Sequence, residues 1–314
     1  MTMDRRSFFA GGAGLGAGLG LGTAAMLAGP QAEAAPIAPA MMGRSVLDFG
    51  VEANTETDQS PALQRALNEI AASGHPAFLP QGIYVVQGLQ IPNGAHLVGS
   101  GAKLLFEDGG CEVEGITAHI SHLAFEGRGN SSLKLAGGSF AALLAADHTN
   151  LTLEHCSFQH ASGWAVFAEN SILTMNSCLI QNVAGGVFLN VKAPTDGGII
   201  SGLRVTQCAS AGIEAKGRAI VTGNMIDGCG NGLKLGDPKG TSHILASQNS
   251  ITNCRVGIAC EAEGDYIFAT LNMIQGAKDG AIRAIADGKL VGPDLTQQSA
   301  ESYRNLAIAG NVAL

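Results

Sequence analysis

The chain has 314 residues, a formal net charge of −8 at pH 7, 44 glycines and only 5% aromatic residues. An acidic chain without a basic patch argues against nucleic acid as a partner. The negative charge also gives no electrostatic help in binding a polyanionic sugar polymer. Frequent glycine and sparse charge favour a fold with many tight turns.

Residues 1–34 are predicted to be an export signal. Arg5 and Arg6 precede a glycine- and alanine-rich apolar run, and Ala32-Glu33-Ala34 is a cleavage site of the A-x-A type. The paired arginines resemble a twin-arginine signal, which implies export through the twin-arginine translocase and a periplasmic or secreted protein. A membrane anchor is the alternative, but this run would be a weak spanning helix. We expect no membrane span in the mature chain.

Residues 35–79 are predicted to form an entry segment with a capping helix at about 59–73. Asp58 or Ser60 can cap this helix, Pro61 suits its first turn, and the helix ends near Gly74. Its apolar stripe is made of Ala62, Leu63, Ala66, Leu67 and Ile70. A solenoid needs a cover over the exposed end of its core, and this helix can supply it.

Residues 80–314 are predicted to form a parallel β-helix, because a motif recurs along them. Its central apolar position falls at residues 158, 180, 205, 226, 251 and 274, in steps of 22, 25, 21, 25 and 23. A fixed period of this size indicates a solenoid of leucine-rich repeats or of β-helix coils. The leucine-rich frame is absent, and short Ile, Val and Leu runs between Gly and Asn suit strands and turns. We expect Ile226, Ile251 and Ile274 to be buried.

Two side-chain ladders are predicted, because successive coils stack about 4.8 Å apart. The first contains Asn224, Asn249 and Asn272, with Asn311 opening a further copy, and Cys156 and Cys178 hold the same position in earlier coils. The second contains Cys208, Cys229 and Cys254. Their spacing matches no zinc motif, and seven cysteines in total cannot all form disulfides. We therefore predict buried, reduced and metal-free thiols, with a metal, cofactor or disulfide site as the alternative.

The entry motifs carry a family resemblance. Asp48-Phe49-Gly50, the helix after Thr57-Asp58, Pro80-x-Gly82-x-Tyr84 and Leu97-x-Gly99-x-Gly101 resemble the start of pectate-lyase-like right-handed β-helix proteins, which include polygalacturonases and phage tailspikes. With the signal and the repeats, the whole chain resembles the twin-arginine-translocated β-helix repeat proteins, a family of unassigned activity. The resemblance implies an all-β fold, a single-stranded right-handed parallel β-helix of the pectin-lyase type with a short N-terminal capping helix.

A shallow saccharide groove is the predicted site. The loops 190–198, 236–243 and 261–266 start at equivalent coil positions and should stack along one side. Strand alternation points Glu214, Lys216, Lys234 and Glu261 outward into this groove. Asn190, at the start of the first loop, is the fifth predicted groove residue. Asp196, Asp237 and Lys239 are the acid/base candidates in these loops. A solvated strand face is the alternative for all of them.

No catalytic signature of the similar enzymes occurs in the repeats. Inverting hydrolysis needs two carboxylates with room for water between them, and the polygalacturonase-like motifs that would supply them are missing. A second polar cluster contains Asp147, His148, Glu154, His155 and His160, but no two histidines have a recognised ligand spacing. No metal is predicted, and the cofactor is left open.

Two functions therefore remain open at the level of sequence. One is an exported β-helix that binds or processes a polysaccharide, with lyase, hydrolase or epimerase chemistry. The other is a non-catalytic envelope or surface interaction protein, favoured by the few aromatic sugar platforms. Whether the chain is an enzyme is not decided. Residues 285–310 are expected either to fold back as a terminal cap, with Ala300 to Asn305 as a short helix or turn, or to belong to a longer solenoid.

Overall fold

The computed structural model describes residues 43–113, 115, 117–129, 133–134, 141–193, 195–238, 242–261, 266–297, 303 and 305–314, with backbone alone at 133, 134 and 141. The predicted export signal, including Arg5 and Arg6, lies outside these residues. A 3-10 helix spans Val46–Phe49 and the α-helix α1 spans Ser60–Ala72. The strands, in chain order, are β1 Arg44–Ser45, β2 Ala77–Leu79, β3 Gly82–Val86, β4 Leu89–Ile91, β5 Ala95–Phe106, β6 Cys111–Val113, β7 Thr117–Gly127, β8 Leu133–Lys134, β9 Ala141–Asp147, β10 Asn150–Glu154, β11 Ser157–Glu169, β12 Ile172–Asn176, β13 Leu179–Asn190, β14 Gly197–Ser201, β15 Arg204–Cys208, β16 Ala211–Lys216, β17 Arg218–Thr222, β18 Met225–Asp227, β19 Asn231–Leu235, β20 His243–Ser247, β21 Ser250–Thr252, β22 Val256–Glu261, β23 Tyr266–Thr270, β24 Met273–Gln275, β25 Ile282–Ala286, β26 Lys289–Asp294, β27 Leu306–Ala309 and β28 Val312–Ala313.

These strands wind into a right-handed parallel β-helix with three faces. Sheet 1 contains β1, β2, β5, β7, β10, β12, β14, β17, β20, β23 and β27 in stacking order. Sheet 2 contains β3, β5, β7, β11, β13, β15, β18, β21, β24 and β28. Sheet 3 contains β4, β6, β9, β11, β13, β16, β19, β22 and β25. The long strands β5, β7, β11 and β13 each bend from one sheet into the next.

The predicted register of the repeats is confirmed. In sheet 2 each central apolar residue pairs with that of the next coil. The column starts before the legible repeats and consists of Tyr84, Leu104, Phe125, Phe158, Ile180, Val205, Ile226, Ile251 and Ile274. Every member is at most 1% exposed. The parallel pairing also includes β1 and β2, which precede residue 80, so the coils start earlier than the predicted boundary.

The predicted asparagine ladder is present. Asn224 Nδ2 donates to Asn249 Oδ1 at 2.9 Å, Asn249 Nδ2 donates to Asn272 Oδ1 at 2.9 Å, and Asn272 Nδ2 donates to Asn311 Oδ1 at 2.9 Å. Each amide also donates to a backbone carbonyl of the preceding coil. A buried amide is costly unless it is paired, so the ladder satisfies its members while it ties the coils together.

The cysteines line the interior. All seven are buried free thiols, and Val183 of β13 pairs with Cys208 at the start of the second predicted ladder. Burial raises the pKa of Cys260 to about 12. The hydrogen bond with Cys208, together with burial, raises the pKa of Cys229 to about 12. These two thiols therefore stay neutral at pH values at which a solvated thiol is ionised.

The raised thiol pKa values predict a loss of stability at alkaline pH. The folded chain holds protons that the unfolded chain releases above about pH 8.5, so stability is complete below that pH and falls as the pH rises toward 12. Each such thiol contributes a slope of at most about 1.4 kcal/mol per pH unit. Urea unfolding at several alkaline pH values measures the slope. Cys260→Ala should lose packing at every pH but show a shallower slope, whereas a pH-independent stability in the wild type would contradict the prediction.

The capping helix α1 matches the predicted helix closely. Leu63, Ala66, Leu67 and Ile70 are buried against the core. The Asp58 Oδ1 atom accepts hydrogen bonds from the backbone N–H of Ser60 at 2.9 Å and from its hydroxyl at 2.6 Å. The N-cap residue is Gln59, whose side chain makes no capping hydrogen bond. The prediction that Asp58 or Ser60 occupies the N-cap is therefore wrong, because the helix begins one residue after Gln59, at Ser60.

The C-terminal region combines a hairpin with further strands. β26 folds back antiparallel on β25, and the Asp294 carboxylate accepts from the backbone N–H of Ala281 at 2.6 Å. β27 and β28 then pair in parallel with β23 and β24. Residues 285–310 thus do not fold back as one cap, because residues 306–309 continue sheet 1. Most of the predicted turn at Ala300 to Asn305 lies outside the described residues.

Candidate functional site

The outward side of sheet 3 brings the predicted groove residues together. Phe188 of β13, Glu214 of β16 and Lys234 of β19 are register partners on three successive strands. Asn190 and Lys216 form the neighbouring column two residues further along the same strands. Side chains two residues apart share a strand face, so this is one polar patch across three coils.

An ion cluster occupies the centre of this patch. Glu214 Oε1 lies 3.0 Å from Lys234 Nζ and 3.3 Å from Lys216 Nζ. The Glu214 side chain is 7% exposed, against 29% and 23% for the two lysines. A carboxylate that is removed from water needs ionic partners, and these two ammonium groups supply them. The two lysines therefore share one carboxylate within this cluster.

A second polar group lies one coil earlier. Glu169 Oε1 accepts from Asn190 Nδ2 at 2.9 Å and lies 3.1 Å from Lys192 Nζ. Because Glu169 and Asn190 are register partners on β11 and β13, this contact runs along the solenoid axis. The patch therefore repeats a carboxylate–lysine contact in neighbouring coils.

Aromatic rings border the ion cluster on the same face. Phe188 stacks on Phe167 with ring centroids 4.5 Å apart and meets Trp164 edge-on at 5.3 Å. Lys216 Nζ lies 5.1 Å from the Phe188 ring centroid, within reach of a cation–π contact. The three rings are at most 9% exposed. Aromatic surface therefore backs the lysines.

The remaining predicted residues are distributed over different surfaces. Glu261 continues the Asn190–Lys216 side of sheet 3, but it is only 4% exposed. Asp237 follows β19 in the loop beside the patch. Asp196 instead lines a trough of about 530 Å3 on the outward side of sheet 1, with Ile199, Ile220 and Leu245. Lys239 lies outside the described residues, and Asp196 and Asp237 lie at different sheets.

The histidines form stacks at the N-terminal half of the solenoid. His96 and His119 are parallel with centroids 4.5 Å apart, and His122 and His155 are 4.9 Å apart. His119 Nε2 lies 3.3 Å from Glu154 Oε2 but outside hydrogen-bond geometry. Burial, followed by the charge of His119, lowers the pKa of His96. This favours the neutral imidazole of His96.

No group of three or more His, Cys, Asp or Glu side chains in the described ranges has the geometry to hold a metal ion. No helix among the described residues is both long and apolar enough to cross a membrane.

Comparison with known proteins decides the family. The family model described as rhamnogalacturonase A/epimerase, pectate lyase-like, matches residues 43–282. The chain belongs to this family. No curated protein matches the sequence. The family assignment agrees with the predicted pectate-lyase-like resemblance.

Solved structures show the same fold at low identity. The family 28 exopolygalacturonase of Yersinia enterocolitica aligns with a TM-score of 0.58 and 11% identity over 86% of this chain and 65% of that one. The polygalacturonase of Erwinia carotovora aligns at 0.57 and 11%, over 84% and 92%. A tailspike protein of E. coli bacteriophage HK620 aligns at 0.53 and 14%, over 79% and 60%. These similarities support the solenoid architecture alone.

Two features of the surface were not foreseen from the sequence. Phe167 and Phe188 join Trp164 in a cluster, although their spacing of one coil was visible in the chain. The exposed apolar residues of sheet 1, such as Ile199 and Phe268, share the same period. In both cases the one-coil spacing of the outward residues is visible in the sequence. The predicted repeat, however, was defined by the inward apolar residues, so the outward residues were not grouped.

Proposed function

We propose that this protein is an exported β-helix protein that binds a polysaccharide across the outward side of sheet 3. The observation that carries the proposal is the buried Glu214 carboxylate held by Lys216 and Lys234 beside an aromatic cluster. Ammonium groups fixed by a carboxylate donate to sugar hydroxyl or carboxylate oxygens without a large ordering cost.

Family membership supports a carbohydrate ligand. The family is described as rhamnogalacturonase A/epimerase, and two of the aligned structures are polygalacturonases. The extended parallel face also suits a polymer, because polar contacts repeat in successive coils. The twin-arginine-like Arg5-Arg6 signal of residues 1–34 supports the proposed export to the periplasm or the outside of the cell.

Processing of the bound polymer is the finer part of the proposal. Asp237, which follows β19, and Lys239 are its acid/base candidates, whereas Asp196 borders the sheet 1 trough. Incubation with acidic and neutral polysaccharides tests this part. Ultraviolet absorbance reports lyase products, and new reducing ends report hydrolysis. Binding without either signal would assign the protein to the non-catalytic class, the second candidate function.

Replacing Lys234 should weaken binding. We expect Lys234→Met to raise the dissociation constant for the bound polysaccharide about tenfold or more, because a charge-assisted hydrogen bond contributes about 1.5–3 kcal/mol. Titration calorimetry with the full polymer panel provides the measurement. Lys278→Met, at an exposed turn remote from the patch in sequence, is the matched control and should bind like the wild type. Equal loss in both variants, or no polymer bound by the wild type, would contradict the site.

A further inference from the structure

The outward side of sheet 1 carries one unbroken column of register partners that changes character along the solenoid. It runs through His96, His119, Thr152, Thr174, Ile199, Ile220, Leu245 and Phe268. The column ends at Ala307 of β27. We call the four residues before it, Ile199, Ile220, Leu245 and Phe268, the apolar ladder. Their side chains point away from the core, because Ile200, Val221, Ala246 and Ala269 alternate with them and are fully buried.

The apolar ladder is open to solvent. Ile199 is 47% exposed, Ile220 42%, Leu245 39% and Phe268 48%. Contiguous exposed apolar surface on a soluble protein marks an interaction site more often than isolated residues do. The trough of about 530 Å3 that these residues line is shallow and continuous along four coils. This surface lies on a different sheet from the proposed saccharide patch.

The columns on either side of the ladder differ in chemistry. One contains Arg218, His243 and Tyr266, with the His243 and Tyr266 rings stacked at 5.1 Å. The other contains Thr222, Ser247 and Thr270, with the Thr222 and Ser247 hydroxyl oxygens 3.2 Å apart. Donor-rich side chains thus flank the ladder on one side, and hydroxyl groups flank it on the other.

We propose that this face binds a second copy of the same chain, related by a two-fold axis parallel to the solenoid axis. Such an axis opposes the two faces and keeps each coil level with its counterpart. The apolar ladder then meets itself. The two flanking columns exchange sides, so that the Arg218, His243 and Tyr266 column faces the Thr222, Ser247 and Thr270 column of the second copy.

This arrangement brings no like charges of the flanking columns together. The Arg218 guanidinium meets a hydroxyl column rather than a second guanidinium, and the polar rows surround an apolar centre, as in stable interfaces. A two-fold axis perpendicular to the solenoid axis is less favourable at either position. Centred on the whole column, it would set the His96 and Thr152 end against Phe268, and centred on the apolar ladder it would oppose only six of the nine strands of this face. The parallel axis opposes the ladder to itself and keeps all nine strands in the contact.

The available area suits a homodimer. Nine strands of sheet 1, from β5 to β27, stack along this face. At about 4.8 Å per strand and about 3.3 Å per residue over five residues, the face measures roughly 43 Å by 16 Å, or about 700 Å2. A standard interface buries about 800 Å2 per partner. Sheets that pack face to face lie about 10 Å apart, which the ladder side chains can fill.

Sedimentation equilibrium on the protein purified after expression of the full-length chain tests the proposal. We expect a dimer at micromolar concentration.

Leu245→Glu places a carboxylate from each copy at the centre of the apolar contact, so its dimer dissociation constant should rise at least about 100-fold. Met225→Glu, on sheet 2 at 51% exposure, is the matched control and should remain within about twofold of the wild type. A wild type that stays monomeric at about 100 µM, where a dimer of micromolar dissociation constant is almost fully formed, would overturn the proposal. A Leu245→Glu variant that associates normally would also overturn it.

Cross-linking provides a second measurement that does not depend on weakening the contact. All seven native cysteines are buried, so a short bis-maleimide reacts at an introduced surface thiol. Because the axis sets Leu245 opposite its own counterpart, Leu245→Cys should give a covalent dimer, and Met225→Cys should not. Equal cross-linking of the two variants, or a series of covalent oligomers larger than the dimer, would refute the two-fold arrangement. Circular dichroism melting curves verify that each variant is folded.

Discussion

Ile251→Asp is expected to abolish folding of the solenoid. Ile251 is fully buried and has Ile226 and Ile274 as register partners in the coils on either side. An unpaired carboxylate at this position would cost more than about 5 kcal/mol, which is comparable with the whole stability of a typical domain. Because each coil packs only on its neighbours, the damage spreads to both adjacent coils.

The soluble yield and the urea midpoint of Ile251→Asp measure this effect. Met225→Asp is the matched control, because Met225 precedes Ile226 on a short strand of the same sheet but is 51% exposed. We expect the control to change the free energy of unfolding by less than about 1 kcal/mol. A variant Ile251→Asp with an unchanged melting temperature would show that the inward column is misassigned.

Asn249→Ala is expected to give the second-largest effect. Asn249 Oδ1 accepts from both the backbone N–H and the side-chain amide of Asn224, at 3.1 and 2.9 Å. Its own amide donates to the Val221 carbonyl at 3.0 Å and to Asn272 Oδ1 at 2.9 Å. Truncation leaves buried donors of Asn224 without an acceptor, and each unsatisfied group costs about 1–3 kcal/mol. The total loss should be about 3–5 kcal/mol.

Two further variants should rank below Asn249→Ala in their loss of stability. Asn311→Ala removes the same contacts at the partly buried last rung, where water can replace them, so its loss should be smaller. Asn150→Ala, at an exposed strand position, should change stability by less than about 0.5 kcal/mol. Urea unfolding of the three proteins ranks them. The ladder would have no energetic role if Asn249→Ala and Asn150→Ala proved equally stable.

The interior of this protein was predictable because each coil imposes the same requirement on the next. Ile226, Ile251 and Ile274 recur since an inward strand position needs an apolar residue of similar volume. The buried amides recur since a stacked amide finds its partner in the identical residue of the adjacent coil. Such short-range, one-dimensional rules leave a period in the sequence, and that period sufficed for the fold and for the asparagine ladder.

The candidate site was predictable only in part. Strand alternation indicated that Glu214, Lys216 and Lys234 face away from the core, and the structure unites them. Alternation does not tell how far a neighbouring surface shields an outward side chain, so the burial of Glu214 and Glu261 was not foreseen. Loop conformation is not periodic either, and Asp196 consequently lines the face of sheet 1 rather than the patch on sheet 3.

The sequence by itself determined the coil length, the inward column and the ladders, because these depend on contacts between like residues one repeat apart. Only the tertiary structure decided which residues share each outer face. Ile199 and Ile200 are adjacent and chemically identical, yet Ile200 is fully buried and Ile199 is 47% exposed. The bend of the chain at the corners sets which of the two enters the core, and the stacking of four coils turns the other into part of a continuous apolar surface.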